Sequence, residues 1–159
     1  MTPDCSNKGI RVYSSDGEHE PQEVEPPLGP KKYWTRRHLA DWLLEELSKP
    51  EPTIAGIDHS FSFPSAYFLK YGLPPDWDEF LDDFHRFWPT DGEFTYVCFV
   101  RDGSMGAGAE RTGSPKWRRL AEVRARARSV FHFEGPGTVA YSTHAGLPWL
   151  RFLRRNLGG

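Results

Sequence analysis

Apolar residues recur at helical spacing between Thr35 and Leu47, which predicts an amphipathic helix over this stretch. Thr35 is a suitable N-terminal cap, and Pro50 prevents the helix from continuing. The stripe that would face the core consists of Leu39, Trp42, Leu43 and Leu47.

A second helical pattern starts at Asp76, where Glu79 occupies the capping-box position, and it ends before Pro89. A shorter helix is expected after Pro64, because Gly72 favours the left-handed conformation that ends many helices. The second pattern has an unusually aromatic face, which core packing explains better than a surface for stacking bases. That face consists of Trp77, Phe80, Leu81, Phe84 and Trp88.

Three other stretches have the character of β-strands. The apolar run from Thr53 to Asp58 ends in a carboxylate, which is typical of a buried strand whose last side chain emerges at the edge of a sheet. Residues 93–100 and 129–133 also favour strands, the second through its alternation. Helices and strands in this order predict a single α/β domain over residues 31–159.

Two more helices are expected towards the C-terminus. Ser114 and Pro115 form a favourable helix start, followed by Trp117, Leu120 and Ala121 on one side. The last helix lies within residues 138–157, and Pro148 should start or kink it. Residues 101–113 carry four glycines without periodicity, which indicates a mobile loop, either a lid or a surface excursion.

Residues 1–30 are rich in Pro, Glu, Gly and Ser, and we interpret them as a flexible N-terminal segment. Within it, Ile10 to Tyr13 is a candidate edge strand, followed by a turn at Asp16 and Gly17.

Charge is distributed unevenly along the chain. Residues 1–100 hold 9 Lys/Arg against 18 Asp/Glu, a net charge of −9, whereas residues 101–159 hold 11 against 4, a net charge of +7. A basic half can attract nucleic acid, but the two halves could equally neutralise each other within one fold. The candidate phosphate-binding residues are Arg118, Arg119, Arg124 and Arg128, for which a solvated helix face is an equally good explanation.

Compartment and membrane association follow from two simple observations. Cys5 and Cys98 form no disulfide framework, which suits a reducing cytoplasm. No apolar run approaches the roughly 20 residues of a membrane span, and the N-terminus lacks a signal sequence. We therefore expect a soluble, cytoplasmic protein that does not associate with a membrane.

Asp58 is the first candidate for chemistry, because a carboxylate at the end of a strand can bind a hard cation such as Mg²⁺. One carboxylate is too few, so other ligands must converge on it, and the candidates by type are Glu134, His59, His132 and His144. The alternative is that Asp58 accepts hydrogen bonds from the following turn. His144 could do acid–base work, although a lone histidine is more often a packed or surface residue.

The glycines of Gly135-Pro136-Gly137 could expose backbone amides to a phosphate, but a simple turn is the default interpretation. The chain contains no CxxC pair, HExxH motif or GxSxG motif, so zinc-hydrolase and serine-hydrolase functions have no support.

Three segments, GIDHSFSFP (56–64), SVFHF (129–133) and STHAGLPWL (142–150), together resemble a bacterial family of unknown function. Members of that family are classed as predicted ribonuclease-H-like nucleases. Residues 33–35 and 88–91 add to the resemblance, which runs from about Tyr33 to Leu157.

The resemblance implies a mixed sheet flanked by helices, with acids on adjacent strands holding one or two Mg²⁺ ions for phosphodiester cleavage. Asp58 matches the carboxylate on the strand after the first helix, and Asp4 is the one acid available for an earlier strand. Family members continue into a further acid-bearing strand and helix, so we expect a fragment or a shortened member with an incomplete metal site.

Two hypotheses of function follow. In the first, the chain is a Mg²⁺-dependent nuclease whose catalytic residues are Asp58, Glu134 and His144, with Asp58 as the metal ligand. In the second, it is a non-catalytic module that binds nucleic acid through its arginines or assembles with a partner through the aromatic helix.

Overall fold

Helices dominate the part of the chain that the computed structural model describes, which is residues 7–27 and 32–158. Two short strands, β1 (Tyr13–Ser14) and β2 (Gln22–Glu23), pair in antiparallel fashion. The helices in chain order are α1 (Arg36–Leu47), α2 (Ser65–Tyr71), α3 (Trp77–Phe87), α4 (Val97–Asp102), α5 (Leu120–Arg124) and α6 (Ala140–Asn156), with a 3-10 turn at Gly108–Glu110 between α4 and α5.

The expected α/β fold with a ribonuclease-H-like mixed sheet is therefore wrong. Within the described residues, the hairpin of β1 and β2 is the one sheet, and none of the three strands predicted after residue 50 forms. Residues 53–58 run over the surface instead, with the side chain of Ile54 99% exposed. A strand in the middle of a sheet would have to bury that side chain, which explains why this run forms none.

The other two predicted strands fail for different reasons. Phe94 adopts a left-handed backbone conformation with φ of 56°, and the residues from Val97 onward form α4. Val130 and Phe131 are both buried although they are neighbours, and the chain around them turns. Alternation between two faces of a sheet cannot bury two successive side chains in the same core.

The helices that carry strong end signals form where the sequence predicts them. The Thr35 hydroxyl accepts a hydrogen bond of 3.0 Å from the backbone N–H of His38 and caps α1. The Asp76 carboxylate accepts one of 2.9 Å from the backbone N–H of Glu79 and caps α3. Gly72 ends α2 with φ of 63°, as expected for a left-handed cap.

The core is an aromatic cluster centred on Phe63. Its ring centroid lies 4.6–5.5 Å from five other rings, so this side chain joins the segment before α2 to α3 and α6. The buried face of α3 packs against α6, which also packs on α1. The neighbouring rings are Tyr67, Phe80, Phe84, Phe131 and His144. Core packing, rather than base stacking, thus explains most of the aromatic face of α3.

Pro148 lies inside α6, whereas the sequence suggested that it would start or kink the helix. Proline has no N–H, so the carbonyl of His144, one turn earlier, lacks its usual helical donor. The buried hydroxyl of Thr90 supplies the missing bond and donates to that carbonyl at 2.6 Å. The segment after α3 is thereby tied to the middle of α6.

Opposite charges meet where α3 and α6 pack. Arg154 forms a two-pronged ion pair with Asp78, and both Arg151 and Arg155 pair with Asp82. These partly exposed pairs contribute little stability individually, but they fix the register of the two helices. Much of the basic C-terminal half is therefore neutralised by acids of the first half.

The helix expected from Ser114 begins only at Leu120, because residues 114–117 form a turn. Leu120 is 65% exposed rather than directed at the core. Trp117 does pack inward, with its ring edge-on to Phe131 at a centroid distance of 6.1 Å.

In the N-terminal segment, β1 forms at Tyr13–Ser14 and shares only Tyr13 with the predicted strand from Ile10 to Tyr13, while the turn at Gly17 is as expected. It touches the start of α1, where the Trp34 indole N–H donates to the Val24 carbonyl at 3.1 Å. Asp4 and Cys5 lie outside the described residues. None of the described helices is long and apolar enough to cross a membrane.

We expect Phe63→Ala to lower the free energy of unfolding by about 3–5 kcal/mol, because it leaves a cavity among five rings. The matched control is Phe94→Ala, whose side chain is 71% exposed and should change stability by about 0.5 kcal/mol or less. Urea unfolding followed by circular dichroism measures both. Equal effects of the two variants would contradict the central position of Phe63.

Candidate functional site

Ser60 anchors the segment between α1 and α2 to the rest of the molecule. Its backbone N–H donates to the Thr143 hydroxyl of α6 at 3.1 Å, and its own hydroxyl accepts from Arg119 Nη2 at 2.8 Å. Its carbonyl accepts from His59 Nδ1 at 3.0 Å. A loop without regular structure is thus fixed by three hydrogen bonds.

His59 lies directly against α6 at Gly146. A Cβ atom at position 146 would stand 2.3 Å from His59 Nε2, so the contact requires a glycine there. Burial lowers the pKa of His59, and the positive charge of Arg36 adds to the effect. His59 is therefore a neutral side chain that holds the loop on the helix.

The buried Glu122 and the partly exposed Arg119 form an ion pair beside this loop. Arg119 donates from Nε and Nη2 to Oε1 of Glu122 at 3.0 and 2.8 Å, and its backbone N–H donates to Oε2 at 2.7 Å. Both oxygens of the Glu122 carboxylate, which is buried, are thus occupied. These three hydrogen bonds hold the two residues together. They leave Glu122 no free oxygen for a metal ion.

A groove of about 470 Å³ opens between the loop at residues 57–61 and the segment that contains α5. This volume falls within the usual range for small-ligand sites. The polar side chains along the groove are those of Asp58, His59, Ser60, Arg119, Glu122 and Arg128.

Of the three expected catalytic residues, the structure brings only Asp58 to the groove. Asp58 is exposed on a bend and not at the rim of a sheet. Glu134 is exposed in a separate loop, where its backbone carbonyl accepts a bond of 3.1 Å from Arg128 Nη1. The convergence of Asp58, Glu134 and His144 that the nuclease hypothesis requires is not observed.

The groove does not suit a divalent cation. With Glu122 occupied by Arg119, it offers Asp58 as a single carboxylate beside two guanidinium groups. No group of three or more His, Cys, Asp or Glu side chains able to hold a metal occurs in residues 7–27 and 32–158. Magnesium binding stays a prediction from the sequence.

His144 is enclosed in the aromatic core. Its Nδ1–H donates to the Ala140 carbonyl at 2.8 Å, while its Nε2 finds no hydrogen-bond partner in the described part of the chain. Burial lowers the pKa of His144 to about 3. This placement favours the packed histidine that the sequence left open as an alternative to acid–base catalysis.

The four predicted phosphate-binding arginines fall into two groups. Arg119 is committed to Glu122, and Arg128 donates to the carbonyls of Glu134 and Pro136, both at 3.1 Å. Arg118 and Arg124 are exposed, and so are two further cations, Lys116 and Arg126. None of these four forms an ion pair with another described residue. We refer to Lys116, Arg118, Arg124 and Arg126 as the cationic rim.

Arg126 occupies a position that usually belongs to glycine. The backbone N–H groups of Arg126 and Ala127 bond back to the carbonyls of Val123 and Glu122 at 3.2 and 2.8 Å, which is the Schellman pattern at the end of α5. Arg126 therefore takes the left-handed conformation, with φ of 52°. Side chains other than glycine pay about 1 kcal/mol or more for this conformation.

The sequence pointed to Asp58, Arg119 and Arg128 along the groove, but not to the residues that connect its two walls. Ser60 and Phe61 were considered only as part of the family motif, and Glu122 was not considered at all. Glu122 stands three residues after Arg119, at the capping-box spacing, which was a usable signal. The role of Ser60 depends on contacts with distant residues and leaves no local trace.

No family model, curated protein or solved structure matches the chain. The resemblance to ribonuclease-H-like nucleases stays a prediction, and the function has to be inferred from the groove and its rim.

Acid should destabilise the fold through His144. Its pKa in the folded state lies below the ordinary value of 6.5, so the unfolded chain takes up the proton first. The contribution of His144 to the free energy of unfolding is then fully present above about pH 6.5. Between pH 6.5 and 3 the free energy of unfolding falls by up to about 1.4 kcal/mol per pH unit, and His59 contributes in the same direction.

Urea unfolding at a series of pH values measures this slope. In His144→Phe, which keeps an aromatic ring but binds no proton, the slope should be shallower than in the wild type. The control Phe94→Leu changes an exposed side chain and removes no titratable group, so it should leave the slope as it is. A slope that does not change in His144→Phe would contradict the assignment.

Proposed function

We propose that this chain binds the phosphate backbone of a nucleic acid along the groove, through the cationic rim. The rim cations are close in sequence to residues that line the groove. Arg119, Glu122, Ala127 and Arg128 face the groove from the segment that also carries the rim. A polyanion bound in the groove would therefore lie beside the segment that carries the rim cations.

One observation carries the proposal: the rim keeps its charge while other basic groups of the same half are neutralised. Arg151, Arg154 and Arg155 pair with acids of α3, and Arg111 pairs with Asp83 at 2.7 Å. The rim cations are exposed and have no acidic partner among the described residues. Exposed cations of this kind contribute most to the affinity for a nucleic acid, because each one that neutralises a phosphate releases condensed counterions.

The proposal is one of binding and not of cleavage. Phosphodiester cleavage by metal ions needs carboxylates that converge on the cations, and Glu122, the second carboxylate along the groove, is engaged by Arg119. The Arg119–Glu122 pair instead ties the start of α5 to Ser60 on the opposite wall of the groove.

The first test is the salt dependence of binding to an oligonucleotide. Each phosphate contact contributes about 0.7 to the slope of log affinity against log salt for a single strand. The triple variant Arg118→Gln, Arg124→Gln, Arg126→Gln should therefore bind more weakly and lower the slope by about 2. Fluorescence anisotropy at several salt concentrations measures both quantities.

The control variant is Lys8→Gln, Lys32→Gln, Lys49→Gln, which removes the same charge from exposed positions away from the groove. It should keep the wild-type slope. Equal slopes in the two triple variants, or binding that does not respond to salt, would overturn the proposal. So would binding to anionic lipid vesicles without binding to oligonucleotides, since Leu120 and Val123 are exposed between the rim cations.

Arg126 should show opposite effects on stability and on binding. Arg126→Gly relieves the left-handed strain and is expected to raise the free energy of unfolding by about 0.5–1 kcal/mol, while it weakens oligonucleotide binding. Arg124→Gly removes the same charge from within α5 and should lower stability by about 1 kcal/mol. Thermal unfolding and anisotropy compare the two; a loss of stability in Arg126→Gly would contradict this account.

A further inference from the structure

Phe61 stands out as an aromatic side chain on the wall of a charged groove. It is 41% exposed, although its neighbours Ser60 and Phe63 are both buried. Its ring centroid lies 5.6 Å from that of His59, with the two planes inclined by 54°. The exposed ring and the guanidinium group of Arg128 border the same groove.

The backbone that carries this ring is fixed from both sides. The Trp77 indole N–H donates to the Phe61 carbonyl at 2.8 Å, so the start of α3 holds the residue itself. Ser60, the residue before it, is bonded to Thr143 and Arg119. A ring presented on a fixed backbone loses little conformational freedom when a ligand contacts it.

We propose that Phe61 stacks on an unpaired base, so that the groove selects single-stranded over double-stranded nucleic acid. This inference rests on the proposed function and names its substrate class. Aromatic side chains bind bases through their faces, and bases within a duplex have both faces covered by their neighbours. In a single strand, one base can turn onto Phe61 while the adjoining phosphates stay near the cationic rim.

An apolar depression on the other side of Phe61 offers a competing explanation for the ring. Phe61 also borders this depression of about 220 Å³, together with Leu43, Leu47, Trp77 and Leu150. If Phe61 only covers apolar surface, leucine replaces it without loss of binding. If it stacks on a base, Phe61→Leu weakens binding, whereas a larger aromatic side chain at position 61 preserves it.

The experiment measures the affinity for a fluorescent single strand of about 12 nucleotides, for its duplex with the complementary strand, and for the same single strand with abasic sites. The wild type should bind the intact single strand more tightly than either of the other two. Phe61→Leu should weaken single-strand binding by about 5-fold to 100-fold and leave the salt dependence unchanged. Phe61→Trp should keep the wild-type affinity.

Phe94→Leu is the matched control, since it changes an exposed phenylalanine that does not line the groove. It should leave every affinity unchanged. Equal affinity of the wild type for single strand, duplex and abasic strand would overturn the inference, and this comparison needs no variant to fold. Wild-type affinity in Phe61→Leu would also overturn it.

Failure of the inference and failure of the proposed function give different results. If the rim binds phosphates but Phe61 does not stack, the salt slope still falls in the triple rim variant while single strand and duplex bind alike. If the wild type binds no oligonucleotide at any salt concentration, the proposed function fails, and the inference fails with it.

Discussion

The groove depends on one residue, Ser60, whose amide, hydroxyl and carbonyl groups bond to α6, to Arg119 and to His59 respectively. His59 in turn lies on Gly146, where any larger residue would collide with its ring. These contacts attach a segment without secondary structure to α6 and to Arg119. Without them, the segment would lose its ties to α6 and to Arg119, while Phe61 would keep the bond from the Trp77 indole.

Local signals predicted α1, α2 and α3, whereas contacts between distant residues decided the fate of the predicted strands. Thr35, Gly72 and Asp76 act on backbone groups within four residues, so their effect is visible in the sequence. A strand needs partners elsewhere in the chain, and the apolar runs at 53–58, 93–100 and 129–133 found aromatic neighbours or solvent instead. A short apolar run in a sequence does not show whether the segment will pair as a strand, pack against aromatic side chains or lie in solvent.

The sequence predicted that the candidate site is rich in arginine, but not which of these arginines form internal bonds. The excess of arginine after residue 100 was evident, yet the sequence could not show which arginines meet acids of α3. It placed Arg119 and Arg128 with the phosphate-binding set, whereas folding commits both to internal hydrogen bonds. His144 could not be assigned either, because its surroundings come from rings at residues 63, 84, 88, 131 and 133.

The proline within α6 links two positions that are far apart in the chain. Thr90 donates to the carbonyl that Pro148 leaves without a helical partner. The threonine hydroxyl is needed only while residue 148 lacks an N–H, and the proline is tolerated only while residue 90 can donate. In the evolution of this fold, the two positions should therefore change together, as a pair and not one by one.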